Sequence, residues 1–224
     1  MKLSIVMPVY NESAHIDAVI TRIQSVVLPA AITSRELIIV DDGSSDGTQK
    51  KLMNYSDDST MVIHSSRINF GKGTAIRIGL TYVTGDIVLV QDGDLEYDPN
   101  DYPALLAPII RGEAQVVYGS RFMKKTRIAG MRFSNWLANM ILRTTVNVLF
   151  GSRITDEATA YKVFARDVLR GVELKAKRFE FCPEITAKVL KAGYAIKEVP
   201  IYYNPRSIAE GKKITWRDGY EALW

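Results

Sequence analysis

Residues 85–99 read GDIVLVQDGDLEYDP. From Asp86 to Val90 the run is short, apolar and mostly β-branched, the pattern of a strand covered on both faces. It stops on Gln91-Asp92-Gly93-Asp94, with Glu96 two residues further on. Two carboxylates flanking a glycine on a turn can aim their oxygens at one place, and only a hard divalent cation makes that arrangement favourable. The competing reading is a solvated turn, because Asp and Gly favour turns for local conformational reasons.

The same phrase, an apolar run ending in polar residues, occurs twice upstream. Leu3 to Val9 is followed by Tyr10-Asn11-Glu12, and Glu36 to Val40 by Asp41-Asp42-Gly43-Ser44. Met61 to His64 and Gln115 to Tyr118 complete the strand-like runs of the first half. Between them lie segments with apolar residues three and four apart: Ile16, Val19, Ile20, Ile23 and Val27, then a stretch around Leu52, then Ile76 to Val83, then Leu105 to Ile110. Strands alternating with such helices predict an α/β fold with a mainly parallel sheet. The second helix is expected to start at Asp46, with Gln49 three residues on as a variant capping box. In such sheets functional residues sit on loops at the carboxyl ends of strands, so the three acidic loops should open onto one shared crevice. Asn69-Phe70-Gly71-Lys72-Gly73 is a glycine-rich turn leading into a helix, where backbone N–H groups and Lys72 could meet phosphate oxygens. It lacks the spacing of a P-loop or a dinucleotide fingerprint.

The chain has 224 residues, 47% of them hydrophobic and 24% charged, enough to bury a core and unlike a disordered or fibrous chain. Its net charge of +4 conceals an asymmetry. Residues 1–120 carry 9 basic and 15 acidic side chains, residues 121–224 carry 20 and 10. The one cysteine, Cys182, cannot close an intramolecular disulfide, so a reducing compartment is the expectation. Pro8 and Asn11-Glu12 interrupt the N-terminal apolar run too early for a signal peptide, and no run of about 18 apolar residues occurs. The sequence stops at Trp224 inside an apolar stretch, so a continuation is expected. Neither His15 nor His64 has a triad around it, and Cys182 beside Pro183 has no evident activator, which disfavours nucleophilic hydrolase chemistry.

The second half changes character at Arg121. Up to Thr155 it has seven basic residues and no Asp or Glu. Residues 133–150 read as a helix with a polar stripe of Asn135, Asn139, Arg143 and Asn147, an amphipathic element too interrupted to span a bilayer. Pro183 to Lys191 reads as a helix, Ala195 to Tyr203 as a strand, and Arg206 to Lys213 as a basic loop before a last helix. No linker separates the halves, so residues 1–224 read as a single domain.

SIVMPVYNE, LIIVDDGSSDGT, NFGKGTAIRIGL, GDIVLVQDGDLEYDP and VVYGSRF occur in an order and spacing that resembles family 2 glycosyltransferases of the A-type fold. TDEATAYKVF, RFEFCPEITAKVLKAGYAIKEVPIYYNPR and EGKKITWRDG extend the resemblance toward the dolichyl-phosphate mannose synthase branch, over nearly the whole chain. The resemblance implies a Rossmann-like sheet with a nucleotide-sugar-binding half, 1–120, and a basic acceptor half, 121–224. Pro8, Tyr10, Glu12, Asp41, Asp42, Lys72, Asp92 and Gly93 would line the nucleotide-sugar site. Asp92 and Asp94 match the family's DXD motif and would hold Mg2+ or Mn2+, with Glu96, which stands where some relatives have Gln, as a further ligand. Asp94, Arg121 and Asp156 would be catalytic.

The implied reaction is an inverting transfer of a hexose, from GDP-mannose or UDP-glucose, to a polyprenyl or dolichyl phosphate at the cytoplasmic face of a membrane. A phosphate acceptor is largely dianionic at neutral pH and needs cations rather than a general base. Arg121, Arg132, Arg206, Lys212 and Lys213 are the candidates for its phosphate, and residues 121–150 for contact with an anionic leaflet. Asp156, Glu157 and Glu184 read equally as ion-pair partners or, for a hydroxyl acceptor in polysaccharide synthesis, as bases. A nucleic-acid-binding role for the basic half is disfavoured, because the acidic crevice would repel that ligand and recognition motifs are absent.

Overall fold

The computed structural model describes residues 1–124, 127–131 and 133–205. Seven strands form one sheet: β1 (Lys2–Val9), β2 (Ser34–Asp41), β3 (Met61–Ser65), β4 (Ile87–Val90), β5 (Val116–Ser120), β6 (Lys162–Ala165) and β7 (Ile196–Pro200). Their order is β3-β2-β1-β4-β6-β5-β7. Only β6 runs against its neighbours, pairing antiparallel with both β4 and β5. The other pairs are parallel.

The helices are α1 (Ile16–Ser25), α2 (Thr48–Leu52), α3 (Lys72–Thr81), α4 (Tyr102–Ile110), α5 (Phe133–Phe150), α6 (Arg166–Arg170) and α7 (Phe181–Lys191). They cover both faces of the sheet, which is why its strands read as unbroken apolar runs. One core layer gathers Leu3, Ile5 and Met7 of β1 against Ile16, Val19, Ile20 and Ile23 of α1 and Leu105 and Leu106 of α4. The opposite layer gathers Val6, Val40, Val88 and Phe164 against Ile76 of α3 and Phe181, Ile185 and Val189 of α7.

The chain leaves β1 toward β2 and β3 on one side, then crosses back to β4 on the other, so the strand order reverses at β1. The crevice above β1 is thus the place where an open α/β sheet binds ligands.

Two local expectations are corrected. Asp46 does not start α2; Gly47, at φ 97°, takes the N-cap position. Asp46 instead accepts from Thr48 N at 3.0 Å and from Ser13 N at 3.0 Å, tying the β2 loop to the start of α1. The strand over 195–203 is shorter, ending at Pro200, with Tyr203 making a separate bridge to Tyr97. The polar stripe of α5 points inward: Asn139 accepts from Ala158 N, and Asn147 binds Ser152 and Ile154. The basic loop over 206–213 and the last helix lie outside the described residues.

Candidate active site at the strand ends

The loops after β1, β2 and β4 and the start of α3 are stitched together. Asn11, at φ 49° the one non-glycine residue with positive φ among those described, donates its N–H to Ser44 Oγ and accepts from Ser45 N. The turn after β4 lies against β1. A Cβ on Gly93 would come within 2.9 Å of Val9 Cγ2 and 3.2 Å of the Pro8 carbonyl, so a larger residue would have to push the turn or Val9 aside.

Asp41 and Asp42 are both buried. Asp42 takes the N–H of Phe70 on one oxygen (2.8 Å) and of Gly71 on the other (2.7 Å). Burial pushes its pKa up, and these two hydrogen bonds offset part of that rise. Asp41 Oδ1 accepts from Ser44 N, while its buried Oδ2 has no hydrogen-bond partner among the described residues. A buried carboxylate oxygen without a partner is uncommon in a folded protein. Glu12 is buried at the end of the β1 loop, and Tyr10 is exposed beside it.

The backbone of the glycine-rich turn is committed inside the protein. Besides Phe70 and Gly71, Gly73 N donates to Arg178 O (3.0 Å) and Thr74 N to Lys177 O (2.9 Å). The expected phosphate cradle of backbone N–H groups is therefore closed by the segment before α7. What remains for an anion is the Lys72 ammonium, which pairs with Asp92 Oδ1. Burial disfavours the charged lysine, but Asp92 and Asp94 nearby more than compensate and raise its pKa.

Asp94 Oδ1 accepts from Glu96 N at 3.0 Å. The Glu96 carboxylate accepts the Tyr203 O–H at 2.7 Å, which ties it to the segment after β7. Gln91, fully buried, was passed over in the sequence. Its Oε1 accepts from both Tyr102 and Tyr161 hydroxyls, and its Nε2 donates to the Asp92 carbonyl, so it fixes the approach to the turn. An amide ending an apolar strand next to two carboxylates was the available signal.

Arg121 follows β5 on the same edge of the sheet. Its N and Nε donate to Asp156 Oδ2 at 3.0 and 2.7 Å, and Nη2 to Oδ1 at 2.8 Å. The pair is buried, with side chains 9% and 0% exposed. Behind it Glu198 accepts from the N–H groups of Thr155 and Asp156, and the Tyr203 ring lies 5.0 Å from the guanidinium. The fork that the sequence assigns to an acceptor phosphate is closed here on Asp156, whose two oxygens both accept from Arg121. Glu157 is buried beside Lys162, whose ammonium donates to the Glu157 carbonyl and lies 3.8 Å from the Tyr118 ring centre. Glu184 accepts from Lys175 N, Ala176 N and Lys188 Nζ. Glu184 therefore acts as a partner of neighbouring donors, whereas the Glu157 carboxylate accepts from Thr186 Oγ1 at 3.2 Å and its buried Oε2 has no hydrogen-bond partner among the described residues. Arg132, Arg206, Lys212 and Lys213 lie outside the described residues.

Asp92 and Asp94 are hard oxygen donors at the mouth of the crevice. They suit Mg2+ or Mn2+, which one or two carboxylates hold when phosphate oxygens supply further ligands. Glu96, bonded to Tyr203, belongs less readily to that set. Among the described residues no helix is long and apolar enough to cross a membrane.

The chain is 25% identical over 209 residues to dodecaprenyl-phosphate galacturonate synthase of Rhizobium johnstonii, covering 92% of this chain and 60% of that protein. It is 27% identical over 220 residues to dolichol-phosphate mannosyltransferase of Pyrococcus furiosus, covering 95% and 59%. The chain thus spans about three fifths of the length of these curated relatives. Among solved structures, glucosyl-3-phosphoglycerate synthase of Mycobacterium tuberculosis, in complex with Mn2+, uridine diphosphate and phosphoglyceric acid, superposes with a TM-score of 0.70 at 22% identity, covering 99% of this chain and 76% of that one. S. aureus TarS 1–349 superposes at 0.62 with 20% identity, covering 91% and 60%. These likenesses establish the A-type glycosyltransferase fold. Residues 4–172 match the family described as glycosyl transferase family 2, and the chain belongs to that family.

Proposed function

We propose that residues 1–224 form one catalytic domain that moves a hexose from a nucleotide diphosphate sugar, GDP-mannose or UDP-glucose, to a polyprenyl phosphate. The observation that carries the donor side is the Asp92-Gly93-Asp94 turn seated against β1 where the strand order reverses. Asp92 and Asp94 would hold Mg2+ or Mn2+, which when bound supplies positive charge against the departing diphosphate. Asp41 Oδ2 offers the nucleotide a buried acceptor, and Lys72 offers its phosphates an ammonium. Asp42 and Gln91 hold the loops that carry these groups.

In the transfer an oxygen of the acceptor phosphate attacks the anomeric carbon from the face opposite the diphosphate. The bond from that carbon to the diphosphate breaks, and its electron pair leaves with the nucleoside diphosphate. No base is required of the protein, in keeping with Asp156 being closed on Arg121. Arg132, Arg206, Lys212 and Lys213 are assigned to the acceptor phosphate. Any contact from Arg121 is made through Nη1 or the second N–H of Nη2, since Nε and the other Nη2 N–H donate to Asp156. The names of the two curated relatives support the polyprenyl-phosphate acceptor.

The domain sits peripherally on an anionic membrane surface through α5. At about 100° per residue, Phe133, Leu137, Ile141 and Val148 fall on one face, and all four are exposed. An apolar stripe of this kind marks a contact surface, and Lys124, Arg127, Arg143 and Arg153 lie along the same stretch of chain.

The test is transfer from each nucleotide sugar to a short polyprenyl phosphate with Mn2+, followed as the polyprenyl-phosphate hexose. If a saccharide hydroxyl accepts the sugar while polyprenyl phosphate stays inert, the acceptor assignment is wrong.

A further inference from the structure

Lys72 is held on both sides and yet can swing. The peptide groups around it are fixed: Phe70 and Gly71 donate to Asp42, Gly73 and Thr74 to the carbonyls of Arg178 and Lys177. A Cβ on Gly71, at φ 101°, would come within 2.5 Å of the Lys177 carbonyl, so the turn is clamped against the segment before α7. The side chain itself is different. A four-carbon stem with three rotatable donors ends on Asp92, and both side chains of the pair keep about a fifth of their surface in solvent, 22% and 20%.

Asp92 is also one of the two carboxylates assigned above to a divalent cation. A cation bound to Asp92 at ordinary Mg2+ or Mn2+ distances would lie within about 4 Å of the ammonium, where like charges repel. The conflict disappears if a diphosphate arrives with the cation, because its oxygens give both positive groups a partner.

We propose that Lys72 and the divalent cation compete for Asp92, so the crevice accepts the cation together with a nucleoside diphosphate and excludes it alone. On loading, the ammonium leaves Asp92 and turns to a phosphate oxygen while its backbone stays clamped. Lys72 thereby couples metal binding to nucleotide binding. This rests on the proposed function in one respect, the assignment of Asp92 as a metal ligand.

The experiment is Mn2+ titration followed by the electron paramagnetic resonance signal of free Mn2+, with wild type, Lys72→Met and Lys72→Arg, each alone and with GDP or UDP. Without nucleotide, Lys72→Met should bind Mn2+ about two- to fivefold more tightly than wild type, the equivalent of one partly exposed ion pair. With GDP or UDP, the same variant should bind Mn2+ more weakly than wild type, and Lys72→Arg should follow wild type in both. The opposite signs separate competition from simple damage, since a misfolded variant loses both. Unchanged or weaker binding of Mn2+ alone by Lys72→Met, with nucleotide-dependent binding intact in wild type, overturns the competition and leaves the site standing. Failure of wild type to bind Mn2+ with either nucleotide overturns both.

Discussion

Two cation–carboxylate pairs stand on the same edge of the sheet, and they are held in opposite ways. Arg121 meets Asp156 through three N–H groups, nearly out of solvent, with Glu198 behind and Tyr203 against the guanidinium. Lys72 meets Asp92 through one ammonium, with a fifth of each side chain in water. The first pair has no low-cost alternative, because opening it leaves a charge in the interior. The second can exchange partners with little loss. The difference separates residues that frame the crevice from residues available to a ligand, although charge alone makes the four look alike.

Breaking the framing pair should have the largest effect. Arg121→Ala should destabilise the fold by about 3–5 kcal/mol, seen as a lower urea midpoint with unchanged slope. A loss below about 1 kcal/mol, the range of surface pairs, would erase the distinction. A framing carboxylate on the opposite edge sharpens it. Burial pushes the Glu36 pKa up, but donors from Lys2, Ser4 and Thr84 outweigh burial and bring it from 4.5 to about 2. Its contribution is therefore present above the unfolded value near 4.5 and is lost as pH falls toward about 2. Glu36→Gln should remove up to about 3 kcal/mol of that acid dependence, measured by denaturation across pH 2–6. Lys162→Met takes the donor from the buried Glu157 carbonyl and the nearby positive charge from its carboxylate, and should cost about 1–3 kcal/mol; adding Glu157→Gln should recover only the electrostatic part. The smallest change belongs to the exchangeable pair. Lys72→Met should alter stability by less than about 1 kcal/mol, and a loss as large as that of Arg121→Ala would make Lys72 a framing residue too.

The first half was legible because parallel strands covered on both faces are apolar from end to end, and each stops abruptly at its functional loop. Reading Asp92, Asp94 and Asp41 as one crevice needed only the rule that such loops share an edge. The second half resisted for physical reasons. β6 is four residues long and begins with Lys162, a buried lysine that a hydropathy pattern assigns to the surface. The asparagines of α5 read as a polar stripe without a direction; Asn139 and Asn147 satisfy backbone groups of the segment 152–158, Leu142 and Val146 are buried, and Phe133, Leu137, Ile141 and Val148 face outward. Arg121 announced its charge and concealed its partner, which lies 35 residues away. The Asn69–Gly73 turn looked open to phosphate because Lys177 and Arg178, which close it, are about a hundred residues distant.

The central claim, that the strand-end crevice binds a nucleoside diphosphate together with a divalent cation through Asp94, is tested most directly by thermal unfolding with Mn2+, with GDP or UDP, and with both, in wild type and Asp94→Asn. At about a hundred times the dissociation constant, the combination should stabilise wild type by about 2.7 kcal/mol, a rise of roughly 5–10 °C, while Asp94→Asn shows little or none. No rise with either nucleotide, or the same rise in Asp94→Asn, would contradict the account.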